Sequence, residues 1–198
     1  MSKSLLQDTT FKSEIKRFFN KNKEVLLDII LFGSSVKGKE KPNDIDILLL
    51  YKSSKNIDVS YALKKTIEAK GYYIEITDKT YNELLNPNFI AGISIISEGY
   101  SLVYNKFLFE GLGYLSFNLF KYELKQFNKS ERMRFYYSLY GRNNEKGMLK
   151  ILNSIKFSDS IILCPVENVE RMKEYFDTWK LKYVEFPILI PERIKNIL

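Results

Sequence analysis

The chain of 198 residues contains no histidine and only one cysteine, Cys164. Without histidine, neither Ser-His-Asp nor Cys-His catalysis is possible, and no metal site can use imidazole ligands. Any bound metal must therefore have oxygen ligands. A single cysteine excludes an internal disulfide, which is typical of a reducing compartment. Cys164 ends the apolar segment 161–164, and this position predicts a buried structural thiol.

Long apolar segments are also missing. The N-terminus lacks the apolar region of a signal peptide, and no apolar run approaches the ~20 residues that a membrane-spanning helix needs. We expect a soluble protein of the cytoplasm. The formal net charge is +7, with 16 Lys and Arg against 13 Asp and Glu in residues 1–109 and 15 against 11 in residues 110–198. This charge permits a nucleotide or nucleic-acid partner without requiring one.

Two short segments carry the pattern of a phosphoryl-transfer site. Leu31 to Gly38 places a Gly-Ser turn after an apolar strand, and Asp44 and Asp46 begin the next predicted strand. Side chains two residues apart on a strand point to the same side, so the two carboxylates can share a metal ion. A glycine turn allows backbone N–H groups to approach a phosphate closely. Together the segments predict a metal-dependent site for phosphoryl transfer.

Apolar periodicity predicts the element order α-β-(loop or helix)-β-α-β-α-β for the first half of the chain. The predicted elements are a helix after Thr9, strands over 25–32 and 44–51, a helix that closes at Gly71, a strand over 72–77, a helix over 81–96 that is interrupted or restarted at Pro87, and a strand over 100–104.

Residues 10–105 resemble the polymerase beta-like nucleotidyltransferase superfamily, specifically its minimal nucleotidyltransferase branch. Residues 33–38 match the family pattern Gly-Ser-x-x-x-Gly, and residues 44–46 match its Asp-x-Asp. Glu75 is the best match for a third acidic residue on a later strand, and Glu98-Gly99 resembles the end of the family's domain. The resemblance implies an α+β fold with an α/β-type mixed sheet core. We expect a nucleotidyltransferase catalytic domain over 1–109 and a small α+β C-terminal module over 110–198.

The resemblance implies transfer of a nucleoside monophosphate from an NTP, such as ATP, to a hydroxyl acceptor with release of pyrophosphate, and Mg²⁺ or Mn²⁺ as cofactor. Three acidic residues would be both metal ligands and catalytic residues: Asp44, Asp46 and Glu75. Four residues of the turn would bind the nucleotide: Gly33, Ser34, Ser35 and Lys37. Asp78 remains an alternative to Glu75. Lys39 and Lys41 could bind triphosphate or could simply belong to a solvated loop.

Residues 110–198 resemble no family that we recognise. Their periodicity predicts strands over 116–124, 161–163 and 183–189, and helices over 130–139 and 166–179. Between Lys129 and Lys150, basic residues alternate with aromatic ones, and the candidate nucleic-acid or acceptor contacts are Arg132, Arg134, Tyr140 and Arg142. This pattern fits a surface that binds phosphates and stacks bases. It also fits an amphipathic helix whose aromatic side is core and whose arginines are solvated, and the pattern slightly favours this second interpretation.

Three functions are compatible with the sequence. The first is an enzyme whose C-terminal module selects an RNA or protein acceptor. The second is a component of a toxin-antitoxin pair that modifies its partner, the toxin protein. The third is a non-catalytic nucleic-acid-binding protein on the same scaffold. The intact Asp44 and Asp46 argue against the third, because two adjacent carboxylates repel each other and have no purpose in a scaffold without catalysis.

Overall fold

The computed structural model describes residues 5–39, 44–143 and 145–197, and the side chains through residue 194. The chain divides into two compact units, Met1–Leu112 and Gly113–Leu198. Within the described ranges, none of the helices combines the length and the apolar composition that crossing a bilayer requires.

The first unit is a mixed sheet with helices on both faces. Its elements are α1 Thr9–Asn22, β1 Leu26–Phe32, β2 Ile45–Tyr51, α2 Ile57–Glu68, β3 Ile74–Thr80, α3 Tyr81–Leu84, α4 Ala91–Glu98, β4 Tyr100–Ser101, β5 Lys106–Phe107 and α5 Leu108–Gly111. The strand order is β3-β2-β1-β4-β5. The β2–β3 pair is parallel and the other pairs are antiparallel. The α+β class with a mixed sheet core is therefore confirmed.

Alternation along β2 divides the core of this unit between the two faces of the sheet. Ile47 and Leu49 belong to the larger cluster, which includes Phe11 of α1 and Leu63 of α2. Side chains of the other face form a smaller cluster with α3 and α4: Ile30, Leu48, Leu50, Leu84 and Ile95. Asp46 precedes Leu48 and Leu50 by two and four residues, so its side chain points to the same face of the sheet as theirs. Its carboxylate therefore lies on the face that α4 covers.

One carboxylate of this unit is buried without an ion pair among the described residues. Asp28 of β1 is 5% exposed and accepts hydrogen bonds from the Ser101 hydroxyl at 2.8 Å and from the Ile29 amide at 2.7 Å. Burial raises the pKa of Asp28 to about 6, although both hydrogen bonds act in the opposite direction.

The predicted interruption of the helix over 81–96 is confirmed, because Pro87 lies between α3 and α4 and lacks the N–H that a continuous helix needs. Several other predicted boundaries of the first unit are wrong. Helix α2 ends at Glu68 with Ala69 as its C-cap, so Gly71, with φ +86°, lies beyond the cap. The strand over 100–104 has only two residues, and β5 and α5 were not predicted.

The second unit is a four-stranded antiparallel sheet in the order β7-β8-β6-β9. Its elements are β6 Tyr114–Glu123, α6 Lys129–Tyr140, α7 Met148–Ile151, β7 Ile155–Ser158, β8 Ile161–Pro165, α8 Val169–Thr178 and β9 Lys182–Pro191. Aromatic side chains dominate the core, including Phe120 of β6, Phe135 of α6 and Phe176 of α8. Cys164 is buried as predicted, and burial raises its thiol pKa to about 12.

Candidate active site

The Gly-Ser turn connects the end of β1 to the acidic strand β2. Residues Gly33–Ser35 form a single turn of 3-10 helix, and Gly33 has φ +73°. Phe32 pairs with Asp46 in the antiparallel register, which brings the turn against the Asp46 side chain. A Cβ atom on Gly33 would lie 2.2 Å from Asp46 Oδ2. The turn therefore needs glycine for its backbone angle and also for the space that the Asp46 carboxylate occupies.

Three carboxylates meet beside this turn. Asp44 precedes β2, Asp46 lies on β2, and Glu75 is the register partner of Asp46 in the parallel pair with β3. Each offers one oxygen atom, and these atoms all lie within 4.8 Å of one another. Asp44 and Asp46 are half-buried, and Glu75 is exposed. The structure thus brings together the three acidic residues that the sequence predicted as one site.

The charges of this cluster repel one another. Burial, and then the neighbouring charges of Asp44 and Glu75, raise the pKa of Asp46 above its usual value. No Lys or Arg within the described part of the chain forms an ion pair with the three residues. Magnesium prefers oxygen ligands at about 2 Å. The donor set and its spacing therefore fit a divalent cation, which would offset the repulsion.

Asp78, the alternative third carboxylate, lies elsewhere. It pairs with Leu49 in the β2–β3 register, three residues after Glu75, so the two side chains point to opposite faces of the sheet. The Ser60 hydroxyl of α2 lies 2.7 Å from both carboxylate oxygens of Asp78. Asp78 thus helps to hold α2 on the far face of the sheet, and it does not join the acidic cluster.

The two serines of the turn have different environments. Ser35 is buried, and its hydroxyl lies 3.5 Å from the Asp44 carbonyl, which links the turn to the start of β2. Ser34 is half-buried, and its carbonyl accepts a hydrogen bond from the Lys37 amide at 3.2 Å. The Ser34 hydroxyl has no hydrogen-bond partner among the described residues. It is therefore the freer of the two to bind a ligand.

Lys37 is engaged by a residue that sequence reasoning did not assign to the site. Its ammonium lies 2.9 Å from Glu98 Oε2 at the end of α4, and the two side chains are 21% and 4% exposed. The other carboxylate oxygen of Glu98 is buried and has no partner among the described residues. Since Lys37 and Glu98 are 61 positions apart, only the fold reveals this pair. Lys39 is exposed, and Lys41 lies outside the described residues.

The candidate acceptor contacts of the second unit separate into two groups. Arg132 donates from Nε to the Phe127 carbonyl at 3.0 Å, and Arg134 lines a cavity of about 350 Å³ beside Trp179. Arg142 and Tyr140 belong to a different set of contacts, which involves neighbouring tyrosines. Among the described residues, neither arginine of the first group forms a hydrogen bond, ion pair or ring contact with Tyr140 or Arg142. The two groups are linked only indirectly, for example through the aromatic rings of Phe127, Phe135 and Tyr136, so the structure does not unite the four as one site.

Residues 13–102 match the family described as polymerase beta, nucleotidyltransferase. No curated protein matches the chain. Among solved structures, a toxin-antitoxin crystal structure with AMP-PNP is 22% identical, covers 46% of this chain and 71% of its own, and has a TM-score of 0.37. A crystal structure of the toxin-antitoxin MntA-HepT is 20% identical, covers 48% and 71%, and has a TM-score of 0.35.

The family match includes the turn, the acidic cluster and the Glu98 position. It ends at residue 102, close to the end of the first unit, and it does not extend into the second. Residues 13–102 of this chain therefore form a nucleotidyltransferase domain of the polymerase beta-like superfamily.

Proposed function

We propose that the first unit transfers a nucleoside monophosphate from an NTP to a hydroxyl acceptor and releases pyrophosphate. The observation that carries this proposal is the meeting of Asp44, Asp46 and Glu75 beside the Gly33 turn. Such an arrangement holds a divalent cation and a triphosphate within reach of each other. Neither a structural role nor a purely nucleic-acid-binding role accounts for three uncompensated carboxylates.

The three carboxylates have different proposed roles because their positions differ. Asp44 and Asp46 would bind Mg²⁺ or Mn²⁺, with Glu75 as a further ligand on the exposed side. When bound, divalent cations stabilise the charge of an in-line phosphoryl displacement. The acceptor oxygen forms a bond to the α-phosphorus, and the bond from that phosphorus to the oxygen between the α- and β-phosphates breaks, so that this oxygen leaves with pyrophosphate. Glu75 is the most accessible carboxylate of the cluster, so it is suited to accept the proton of the acceptor hydroxyl.

The turn supplies donors for the triphosphate. Backbone N–H groups of the turn and the Ser34 hydroxyl would donate hydrogen bonds to phosphate oxygens. Lys37 has three N–H donors, of which the ion pair with Glu98 needs one, so the ammonium can bind phosphate while it remains anchored.

The acceptor is a macromolecule in this proposal, and the second unit recognises it. A protein acceptor, such as the toxin of a toxin-antitoxin pair, is the alternative to RNA. We would measure transfer from each α-labelled NTP, with Mg²⁺ or Mn²⁺, into the RNA and the protein of a cell extract. Label in RNA identifies an RNA-directed enzyme, and label in protein identifies a partner-modifying one.

The proposed site is tested with one variant that removes its charges and with one control that removes a carboxylate charge elsewhere. Asp44→Asn/Asp46→Asn should abolish transfer, because each change removes a metal ligand. Glu68→Gln on α2, whose carboxylate is 40% exposed, should leave transfer unchanged. Label or pyrophosphate release that is equal in all three proteins would refute the proposed site. A complete absence of both with all four NTPs would favour the non-catalytic scaffold.

A further inference from the structure

Positive charge is concentrated in one segment of the second unit. Residues 129–156 contain seven Lys and Arg against two Asp and Glu, a net charge of +5 out of +7 for the whole chain. The transfer chemistry of the first unit does not require this concentration. Two of these seven residues, Arg142 and Lys156, lie beside exposed tyrosines, and a basic surface of this kind attracts polyanionic partners.

Aromatic rings lie among these charges. The Arg142 guanidinium lies 4.6 Å from the centre of the Tyr137 ring, and the Lys156 ammonium lies 5.4 Å from the centre of the Tyr140 ring. Tyr140 also stacks on Tyr136, with ring centres 5.9 Å apart and planes inclined by 27°. Tyr137 and Tyr140 remain 39% and 38% exposed. We call Tyr137, Tyr140, Arg142 and Lys156 the tyrosine surface.

The loop that presents Arg142 is closed by two glycines. A Cβ on Gly141 would lie 2.2 Å from the Glu145 carbonyl oxygen, and a Cβ on Gly147 would lie 2.2 Å from the Gly141 nitrogen. Within the loop, the Glu145 amide donates to the Arg142 carbonyl at 2.9 Å. The two ends of the loop thus touch through their backbones. The backbone contacts of these described residues place Arg142 beside Tyr137.

The helix below the surface has a separate structural side. Phe135 and Leu139 of α6 are fully buried in the core, whereas Tyr137 and Tyr140 are left outside it. Packing therefore explains Phe135 and Leu139, and Tyr140 has a partly structural role because it stacks on Tyr136 and hydrogen-bonds to the buried Tyr122. Tyr137 has no ring contact to the core among the described residues, and its ring contact is with the Arg142 guanidinium.

We propose that the tyrosine surface binds single-stranded nucleic acid. Exposed aromatic rings stack on unpaired bases, and Arg142 can bind a phosphate between them. The Lys156 ammonium forms an ion pair with the exposed Asp159 at 2.7 Å and has two further N–H donors for a second phosphate. A polypeptide of acidic residues would satisfy the charges but would have no aromatic rings to stack on the two tyrosines. The binding of a single strand does not depend on the proposed transfer function, but the role of that strand does. If the proposed transfer is correct, the bound strand is the acceptor.

The test measures binding of the full chain to fluorescent single strands of about 12 nucleotides, a length in the range such sites accommodate. Matched RNA and DNA strands, a duplex of the same sequence and a poly-glutamate competitor are compared by anisotropy without NTP or metal. We expect both single strands to bind more tightly than the duplex. Comparison of the RNA strand with the DNA strand shows which of the two nucleic acids the surface prefers.

Three variants separate stacking from general charge. Tyr137→Ala/Arg142→Ala should weaken single-strand binding roughly tenfold or more, because stacking on one ring is lost. It should also reduce the slope of log K against log salt by about 0.7, because one phosphate contact is lost. Tyr137→Phe keeps the ring and should bind as the unchanged chain does. The control Tyr61→Ala/Lys64→Ala on α2 removes an exposed tyrosine and a lysine, and it should not change the affinity.

Several outcomes would overturn the proposal. Unchanged binding in Tyr137→Ala/Arg142→Ala, or an equal loss of affinity in the α2 control, would show that binding depends on the general positive charge and not on the tyrosine surface. Poly-glutamate that competes as well as RNA at equal charge would identify an acidic polypeptide as the partner. Failure of the transfer proposal is a separate result, because Asp44→Asn/Asp46→Asn should bind nucleic acid normally whether or not the unchanged protein transfers nucleotides.

Discussion

Replacing Gly33 with alanine perturbs the proposed site through a single methyl group. That methyl would lie 2.2 Å from Asp46 Oδ2 and 3.1 Å from Asp46 Cγ, and the backbone would have to keep φ +73°. The left-handed conformation costs an L-residue roughly 1–2 kcal/mol. The contact adds a second effect, because the Asp46 carboxylate must leave its position. A displacement of about 1 Å at a reacting centre can cost roughly a hundredfold in rate.

Gly71→Ala is the matched control for the backbone cost. Gly71 has φ +86°, and a Cβ there would meet nothing within 4 Å. The backbone strain alone should therefore lower the free energy of unfolding of both variants by roughly 1–2 kcal/mol. Gly33→Ala should lose more than this, because its methyl group also clashes with Asp46. Only Gly33→Ala should lose transfer, by roughly a hundredfold.

The assay combines α-labelled NTP transfer with urea unfolding followed by circular dichroism. The only tryptophan of the chain, Trp179, lies in the second unit, so its fluorescence reports that unit separately and should be unchanged in both variants. If Gly33→Ala transferred label at the normal rate, or if Gly71→Ala lost as much activity, the steric account of the turn would be refuted.

Three further predictions concern charge. Mg²⁺ should raise the melting temperature of the unchanged chain and should not raise that of Asp44→Asn/Asp46→Asn; an equal shift in both would place the metal elsewhere. Lys37→Met should cost about 3 kcal/mol of stability, because it leaves the Glu98 carboxylate buried and unpaired, and Lys37→Met/Glu98→Gln should recover most of that loss in the same thermal unfolding experiment. A double variant as unstable as the single one would contradict this account. Asp28, whose folded pKa of about 6 lies above its ordinary value of 3.8, stabilises the fold most below pH 4 and loses that contribution as the pH rises through 6. Relative to Asp28→Asn, the unchanged chain should lose about 3 kcal/mol between pH 4 and pH 7, and parallel pH profiles would disprove this assignment.

The local part of the site could be predicted from the sequence, and the long-range part could not. The Gly33 turn and the Asp44–Asp46 pair follow from spacing within 14 residues. The choice between Glu75 and Asp78 depends on the parallel register of β2 and β3, which no local pattern determines. The partner of Lys37 is equally hidden, because Glu98 reaches it from a helix that is packed against the opposite side of β1 from α1.

Element length explains most of the other errors. Helices α5 and α7 have four residues each, and β7 has four residues. Such segments are shorter than the window over which apolar periodicity becomes visible. Helix α6, with 12 residues and Asn128 as its N-cap, was predicted within one residue at each end.

The parallel pairing of β2 with β3 also determines when the acidic site can form. Parallel neighbours cannot be joined by a tight turn, and here α2 provides the crossover between the two strands. During synthesis, the Gly33 turn and the pair Asp44–Asp46 emerge first, as part of an antiparallel hairpin. The third carboxylate joins them only after the chain has been made through β3 and has folded back over α2. Metal binding by all three residues would therefore report that β3 has paired with β2, and a chain that stops before Glu75 has only two of the ligands.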